Sequence, residues 1–207
     1  MILPVFDGAN RPAVSRDMRG RQGIVAALRT LAAISHTREV CQVLGAIVAI
    51  AETCPLRSEG VEHLRLALAD HADRVLVFGG VGEGGTHRVP LPAAISPLGA
   101  LAVILRHAGE EHAIVAAADL RHPSSELLRY MVQVRGSFDA VAPERADGSL
   151  QPLLALYHPR CARRAAGLVT GGERELSVLL ASAHLRRISF DEVAKFGHPT
   201  DLLARGE

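Results

Sequence analysis

One carboxylate, Asp119, stands where this chain most readily does chemistry. It closes a short apolar run, residues 113–118, and precedes a His122-Pro123 turn. Ser124 then opens an amphipathic stretch over residues 126–134. An acid at the carboxyl tip of a buried strand, just before a capped helix, is how an open α/β sheet presents a functional group to its crevice. The competing reading is an aspartate that only braces its own turn.

A second candidate lies near the start. Residues 2–6 are strand-like, and residues 24–31 place Ile24, Leu28 and Leu31 on one helical face. Between them runs a loop, residues 7–22, carrying Gly8, Arg11, Arg16, Arg19 and Arg21. Strand, basic glycine-bearing loop and helix is an arrangement that holds nucleotide phosphates; an ordinary solvated loop is the alternative. Gly80, Gly82 and Gly85 satisfy G-x-G-x-x-G, but Pro90 and Pro92 follow where that fingerprint must open a helix, so residues 79–85 read as a connector. The ten histidines show no H-E-x-x-H or Cys/His spacing, which argues against zinc. Arg160, Arg163 and Arg164 suit either an anionic acceptor or a solvated helix face.

The totals narrow the classes. A net charge of +1 argues against a general polyanion binder, and 3% aromatic content without tryptophan argues against base stacking, so no nucleic acid is expected. Apolar content of 48% supports a sizeable core. Lys195 is the only lysine, so any phosphate grip falls to arginine. Cys41, Cys54 and Cys161 are scattered, as expected of reduced thiols in a cytoplasm, and no run of 18 apolar residues suggests a membrane span.

The elements that must carry these groups alternate. Strands are expected over residues 40–50, 74–78, 113–118, 138–142, 153–157 and 185–189. Helices are expected over 58–69, from Ser96-Pro97 onward, and over 126–134, 161–169, 173–183 and 201–205. Residues 138–157, with Asp147-Gly148 at the tip, suggest an antiparallel excursion. The alternation predicts an α/β, three-layer sandwich with a mostly parallel central sheet.

From about Ser96 onward the chain resembles the MobA family of molybdenum cofactor guanylyltransferases. Ser96-Pro97-Leu98-Gly99-Ala100 is similar to that family's G-P-L-A-G helix start, and residues 119–132 (DLRHPSSELLRYMV) resemble its D-M-P-F-L-S-P-E-L-L run without a gap. Residues 139–157 resemble its acceptor-side hairpin, Gly172-Glu173-Arg174 with Leu179-Leu180 its G-x-R helix, and residues 196–202 its N-x-N-T-P-E-D-L segment. The resemblance implies a Rossmann-like, GT-A-type fold in one domain over 1–207, with a divergent nucleotide side in 1–95 and a metal and acceptor side in 96–207. It implies Mg²⁺-dependent transfer of a nucleoside monophosphate, GMP favoured, from a triphosphate to a phosphorylated acceptor such as molybdopterin, in a monomer or homodimer. Asp119 falls on the family's metal-binding aspartate. Arg16 would act in catalysis, and Gly8, Arg11, Arg16, Arg19 and Arg21 would hold the nucleotide. Arg121, His122, Gln151, Tyr157 and His198 would meet the acceptor. The chain departs from the pattern in its first loop, which lacks the family's lysine, and at Gly197, where a second metal-binding asparagine is expected. These departures keep two alternatives open: a non-catalytic accessory protein that has lost the triphosphate loop, and a transferase for another phosphorylated small molecule.

Overall fold

The computed structural model describes residues 42–49, 58–80, 87–120 and 124–203, which belong to one compact unit, Gln42–Glu207. The elements are β1 (Val43–Ala49), α1 (Ser58–Ala69), β2 (Arg74–Gly79), β3 (Arg88–Val89), α2 (Pro97–Ala108), β4 (His112–Ala117) and α3 (Ser125–Gln133). They continue as β5 (Ala140–Pro143), β6 (Leu154–Tyr157), α4 (Cys161–Thr170), α5 (Leu176–Ala181), β7 (Leu185–Ile188), α6 (Phe190–Val193) and α7 (Pro199–Leu202). The expected strand over residues 2–6 and helix over 24–31 lie outside the described residues.

One seven-stranded sheet has the order β3-β2-β1-β4-β6-β5-β7. Every neighbouring pair is parallel except the two that involve β6, which runs against both β4 and β5. Residues 144–153 form a local hairpin, turning through Asp147 and a left-handed Gly148 (φ 76°), with a bridge between Glu144 and Leu150.

Helices cover both faces, as the alternation predicted. Leu44, Ala46 and Val48 of β1 pack with Leu101, Ile104 and Leu105 of α2, and this layer includes α4 and α5. Val43 and Ile47 pack on the other face with Leu64 and Leu68 of α1 and Leu127 and Met131 of α3. β1 and β4 are buried along their whole length, which explains their uninterrupted apolar sequences. Gly45 lets α1 close on β1: a Cβ there would lie 3.1 Å from Val75 and 3.3 Å from Leu68.

Local signals set the helix starts. The Ser96 hydroxyl accepts from the Gly99 amide at 3.1 Å and the Ser124 hydroxyl from Leu127 at 3.2 Å, both as the sequence suggested. The expected helix over 173–183 begins only at Leu176, because the Glu173 carboxylate accepts from the amides of Arg174 and Glu175 and holds a turn. The expected terminal turn at 201–205 starts earlier, with Pro199 in its first turn. The sequence reading missed α6, whose Ser189 and Glu192 form a reciprocal capping box.

Glu192 also clasps three elements. It accepts from Arg186 of β7 at 2.6 Å and from the Tyr130 hydroxyl of α3 at 2.8 Å. Arg186, then Tyr130 and the Ser189 amide, hold its carboxyl down at about 2. A depressed carboxyl contributes stability above its unfolded value of 4.5 that is lost as pH falls toward 2. Glu192→Gln is therefore expected to lower unfolding free energy by about 2 kcal/mol at pH 7. Urea denaturation at pH 7 and pH 3 checks this: the gap between variant and wild type should narrow at the lower pH.

Candidate functional site

The sheet reverses its order of growth at one place. From β1 the chain builds outward through β2 to β3; α2 then carries it back, and β4 is laid on the other side of β1. The crevice between the carboxyl ends of β1 and β4 is the topological switch point, where open α/β sheets bind ligands. Val48 of β1 pairs with Ala117 of β4, and the Ala118 amide donates to the Val48 carbonyl at 2.9 Å. The Leu120 amide donates to the Ala117 carbonyl at 3.0 Å, closing the turn that holds half-buried Asp119. Asp119 thus stands at the switch point, two residues past the last residue of β4.

The neighbouring rim is closely fitted. Gly79, at the end of β2, has φ 77°, and a Cβ there would lie 2.2 Å from the carbonyl oxygen of Ala49. Only glycine allows β2 to leave the sheet flush against the end of β1. The Arg88 guanidinium donates to the Gly79 carbonyl at 3.0 Å. Gly80 is also left-handed, and the next element is a strand, so the glycine run does not open a helix.

Because β5 and β7 run parallel to β4, their carboxyl ends share this rim. A cavity of about 290 Å³ opens there, lined by Arg145 and Asp147 after β5, Phe190 at the start of α6, and Thr200 of α7. β5 is separated from β4 by β6, two strand spacings or roughly 10 Å. A phosphorylated acceptor of ordinary size spans that interval. The sequence reading missed Arg145, Phe190 and Thr200; the turn composition of residues 143–149 was the available signal for the first.

The sequence candidates separate clearly. Gly8, Arg11, Arg16, Arg19, Arg21, Arg121 and His122 lie outside the described residues. His198 is exposed at the start of α7, its Nδ1 2.8 Å from the Thr200 hydroxyl oxygen. Gln151 is 3% exposed and its amide donates to the Leu203 carbonyl at 3.2 Å, tying the β5–β6 excursion to the end of α7. Tyr157 is a correction. It is fully buried, its hydroxyl donates to the Pro152 carbonyl at 2.8 Å, and burial pushes its phenol up. It also pairs with Ala113, at the amino end of β4. Since β6 runs backward, Tyr157 sits at the end of the sheet opposite Asp119.

That opposite end also takes Arg160 and Arg164, which pair with Asp139 at 3.0 Å and 3.2 Å rather than awaiting an acceptor. The His184 amide, with these two guanidinium groups, holds the Asp139 carboxyl below the usual range. Cys161 is buried, donates its thiol to the Asp139 carbonyl at 3.2 Å, and is pushed up to about 11 by burial. His112 is 6% exposed, with its ring 4.7 Å from His158 in an edge-on contact. Burial, then the positive charges of His158, Arg135 and Arg160, lower His112 to about 4.

Among the described residues no group of three or more His, Cys, Asp or Glu side chains is placed to hold a metal. The rim nevertheless fits a hard divalent ion bound through one carboxylate, because substrate phosphates and waters complete such a shell. No helix among the described residues is long and apolar enough to cross a membrane.

Comparison with known proteins agrees with this architecture. A family model for the MobA-like NTP transferase domain matches residues 19–188. The molybdopterin-guanine dinucleotide biosynthesis protein A of Archaeoglobus fulgidus superposes with a TM-score of 0.61 at 17% identity, over 79% of this chain and 91% of that one. The 2-C-methyl-D-erythritol 4-phosphate cytidylyltransferase of Thermus thermophilus gives 0.52 at 14% identity, over 70% and 87%. A protein of Mycobacterium tuberculosis in complex with manganese gives 0.52 at 12% identity, over 75% and 97%. A search of curated proteins finds no match.

The His112 environment sets a pH dependence of stability. Its folded value of about 4 lies below the ordinary 6.5, so the unfolded chain binds the extra proton first as pH falls. The part of the stability that depends on neutral His112 is whole above pH 6.5 and falls by about 3 kcal/mol on reaching pH 4. His112→Phe is expected to flatten that part of the curve, measured as urea-unfolding free energy against pH for variant and wild type.

Proposed function

The chain belongs to the MobA-like NTP transferase domain family, and we propose that it transfers a nucleoside monophosphate, GMP favoured, from a nucleoside triphosphate to a phosphorylated acceptor such as molybdopterin. The observation that carries this reading is Asp119 at the tip of β4, beside β1 at the switch point of the sheet. In the reaction, an acceptor phosphate oxygen attacks the α-phosphorus, a new phosphoanhydride bond forms, and the bond to pyrophosphate breaks. Asp119 would hold Mg²⁺, which when bound neutralises charge on the α-phosphate. Gly8, Arg11, Arg16, Arg19 and Arg21 would meet the nucleotide phosphates, with Arg16 in a catalytic role. Arg121, His122 and His198 would meet the acceptor together with Arg145 and Thr200 at the rim cavity, whereas buried Gln151 and Tyr157 donate to backbone carbonyls.

A second reading has one observation in its favour. The chain leaves β1 at Ala49, directly beside the Asp119 turn, and the residues that follow, 50–57, are IAETCPLR, with no glycine and one basic residue. A sequence of that composition lacks the glycines that let backbone amides close on a triphosphate. On this reading the protein is a non-catalytic accessory on a transferase scaffold. A transferase for another phosphorylated small molecule is the third possibility.

Pyrophosphate release separates them. Full-length protein with Mg²⁺, molybdopterin and each of GTP, CTP and ATP should turn over with one nucleotide, and Asp119→Asn should cut kcat by about 100-fold or more. Thermal melting with the same nucleotides provides the second arm. Absence of turnover and of any Mg²⁺-dependent shift would leave the accessory reading standing. Arg145→Ala should raise the acceptor KM several-fold while leaving the nucleotide KM unchanged.

A further inference from the structure

We propose that the trough between α2 and α4 is a second ligand site, distinct from the rim, for a small anionic amphiphile: an acid head on an apolar body. The trough encloses about 690 Å³, well within the range of small-molecule sites. Its floor is made by Gly99, Ala102 and Val103 of α2 facing Ala166 and Val169 of α4. These residues lie at i, i+3 and i+4 on one helix and at i and i+3 on the other, so each helix presents one apolar side to the trough. Val169 is one of two large hydrophobic residues exposed among those described, at 37%. The other, Leu66, lies on α1 and belongs to the opposite layer.

Charge selects the ligand's sign. Arg174 and Arg106 line the trough, are exposed, and make no ion pair with another described residue. The one lining carboxylate, Glu173, already accepts from the Arg174 and Glu175 amides at 2.7 Å and 3.0 Å. Arg174 lies beside the first turn of α2, since the Leu98 amide donates to the Arg174 carbonyl at 3.3 Å. The positive end of the α2 dipole therefore adds to its guanidinium, and the acid head belongs there. Arg106 lies seven residues beyond Gly99, about 10 Å along the helix, where its aliphatic stem closes the far end of an apolar body. The first turn of α2 borders both this trough and the carboxyl rim, so an occupant of the trough touches the element that flanks the switch point. The site does not depend on the transferase reading.

The probe is anilinonaphthalene sulfonate, titrated into the full chain and followed by fluorescence, with octanoate and octyltrimethylammonium as competitors. Saturable binding displaced by octanoate but not by the cation is expected. Arg174→Ala should weaken it at least about tenfold, as loss of a charge-assisted contact does. Ala166→Trp, at an exposed position, should abolish it by filling the trough, with the melting temperature confirming a folded chain. Arg174→Glu serves as a second variant should the tryptophan destabilise α4. No saturable binding, unchanged binding in the arginine variants, or equal displacement by the cation would overturn the proposal.

Discussion

The parallel pairing of β1 with β4 is the constraint on which the rest of the structure depends. The two strands are separated in sequence by two helices and two strands, yet they lie side by side from Val43↔His112 to Val48↔Ala117. Both are wholly buried, so neither backbone has water as an alternative partner, and the register must be kept along the whole strand. A slip by one residue would exchange Val115 and Ala116 between the two cores and expel matched side chains on both faces. The same register fixes the Ala118 amide on the Val48 carbonyl, and with it the turn that carries Asp119. The packing of the core and the placing of the acid are thus one arrangement.

Features with local causes were readable from the sequence. Ser96-Pro97 and Ser124 announced α2 and α3 because a cap needs only residues within one turn. The apolar runs of β1 and β4 announced buried strands, and residues 138–157 announced an antiparallel pair because Asp147-Gly148 marks the tip of a local turn. Strand order was not readable. Nothing in VLGAIVA marks it as the strand beside Asp119. Tyr157 failed for a related reason. A motif gives its distance along the chain from Asp119, but only the reversed direction of β6 shows that it ends at the far side of the sheet.

The polar groups at the amino end of the sheet are held within the fold. At the amino end Asp139 takes one backbone amide and two guanidinium groups, Cys161 is held on a carbonyl, and His112 is kept neutral by burial. Arg160 and Arg164 are basic residues of the kind that greet anions, yet their charge is already committed to a buried carboxylate, where it holds β5 and α4 together.

At the carboxyl rim the same residue types are arranged differently. Arg145 makes no ion pair with another described residue and opens on a cavity with an aromatic wall. Glycine at position 79 clears the space beside Ala49 without placing a side chain in it. The difference lies in how the carboxylates are held: Asp139 at the amino end is buried against two guanidinium groups, whereas Asp147, which lines the rim cavity with Arg145, is exposed and bonded to its own Ser149. In a sheet where all strands but one point the same way, the loops after β1, β4, β5 and β7 collect on one edge. Chemistry gathers on that edge because the helices that return the chain bury the apolar residues between the two ends and leave the rim for polar ones.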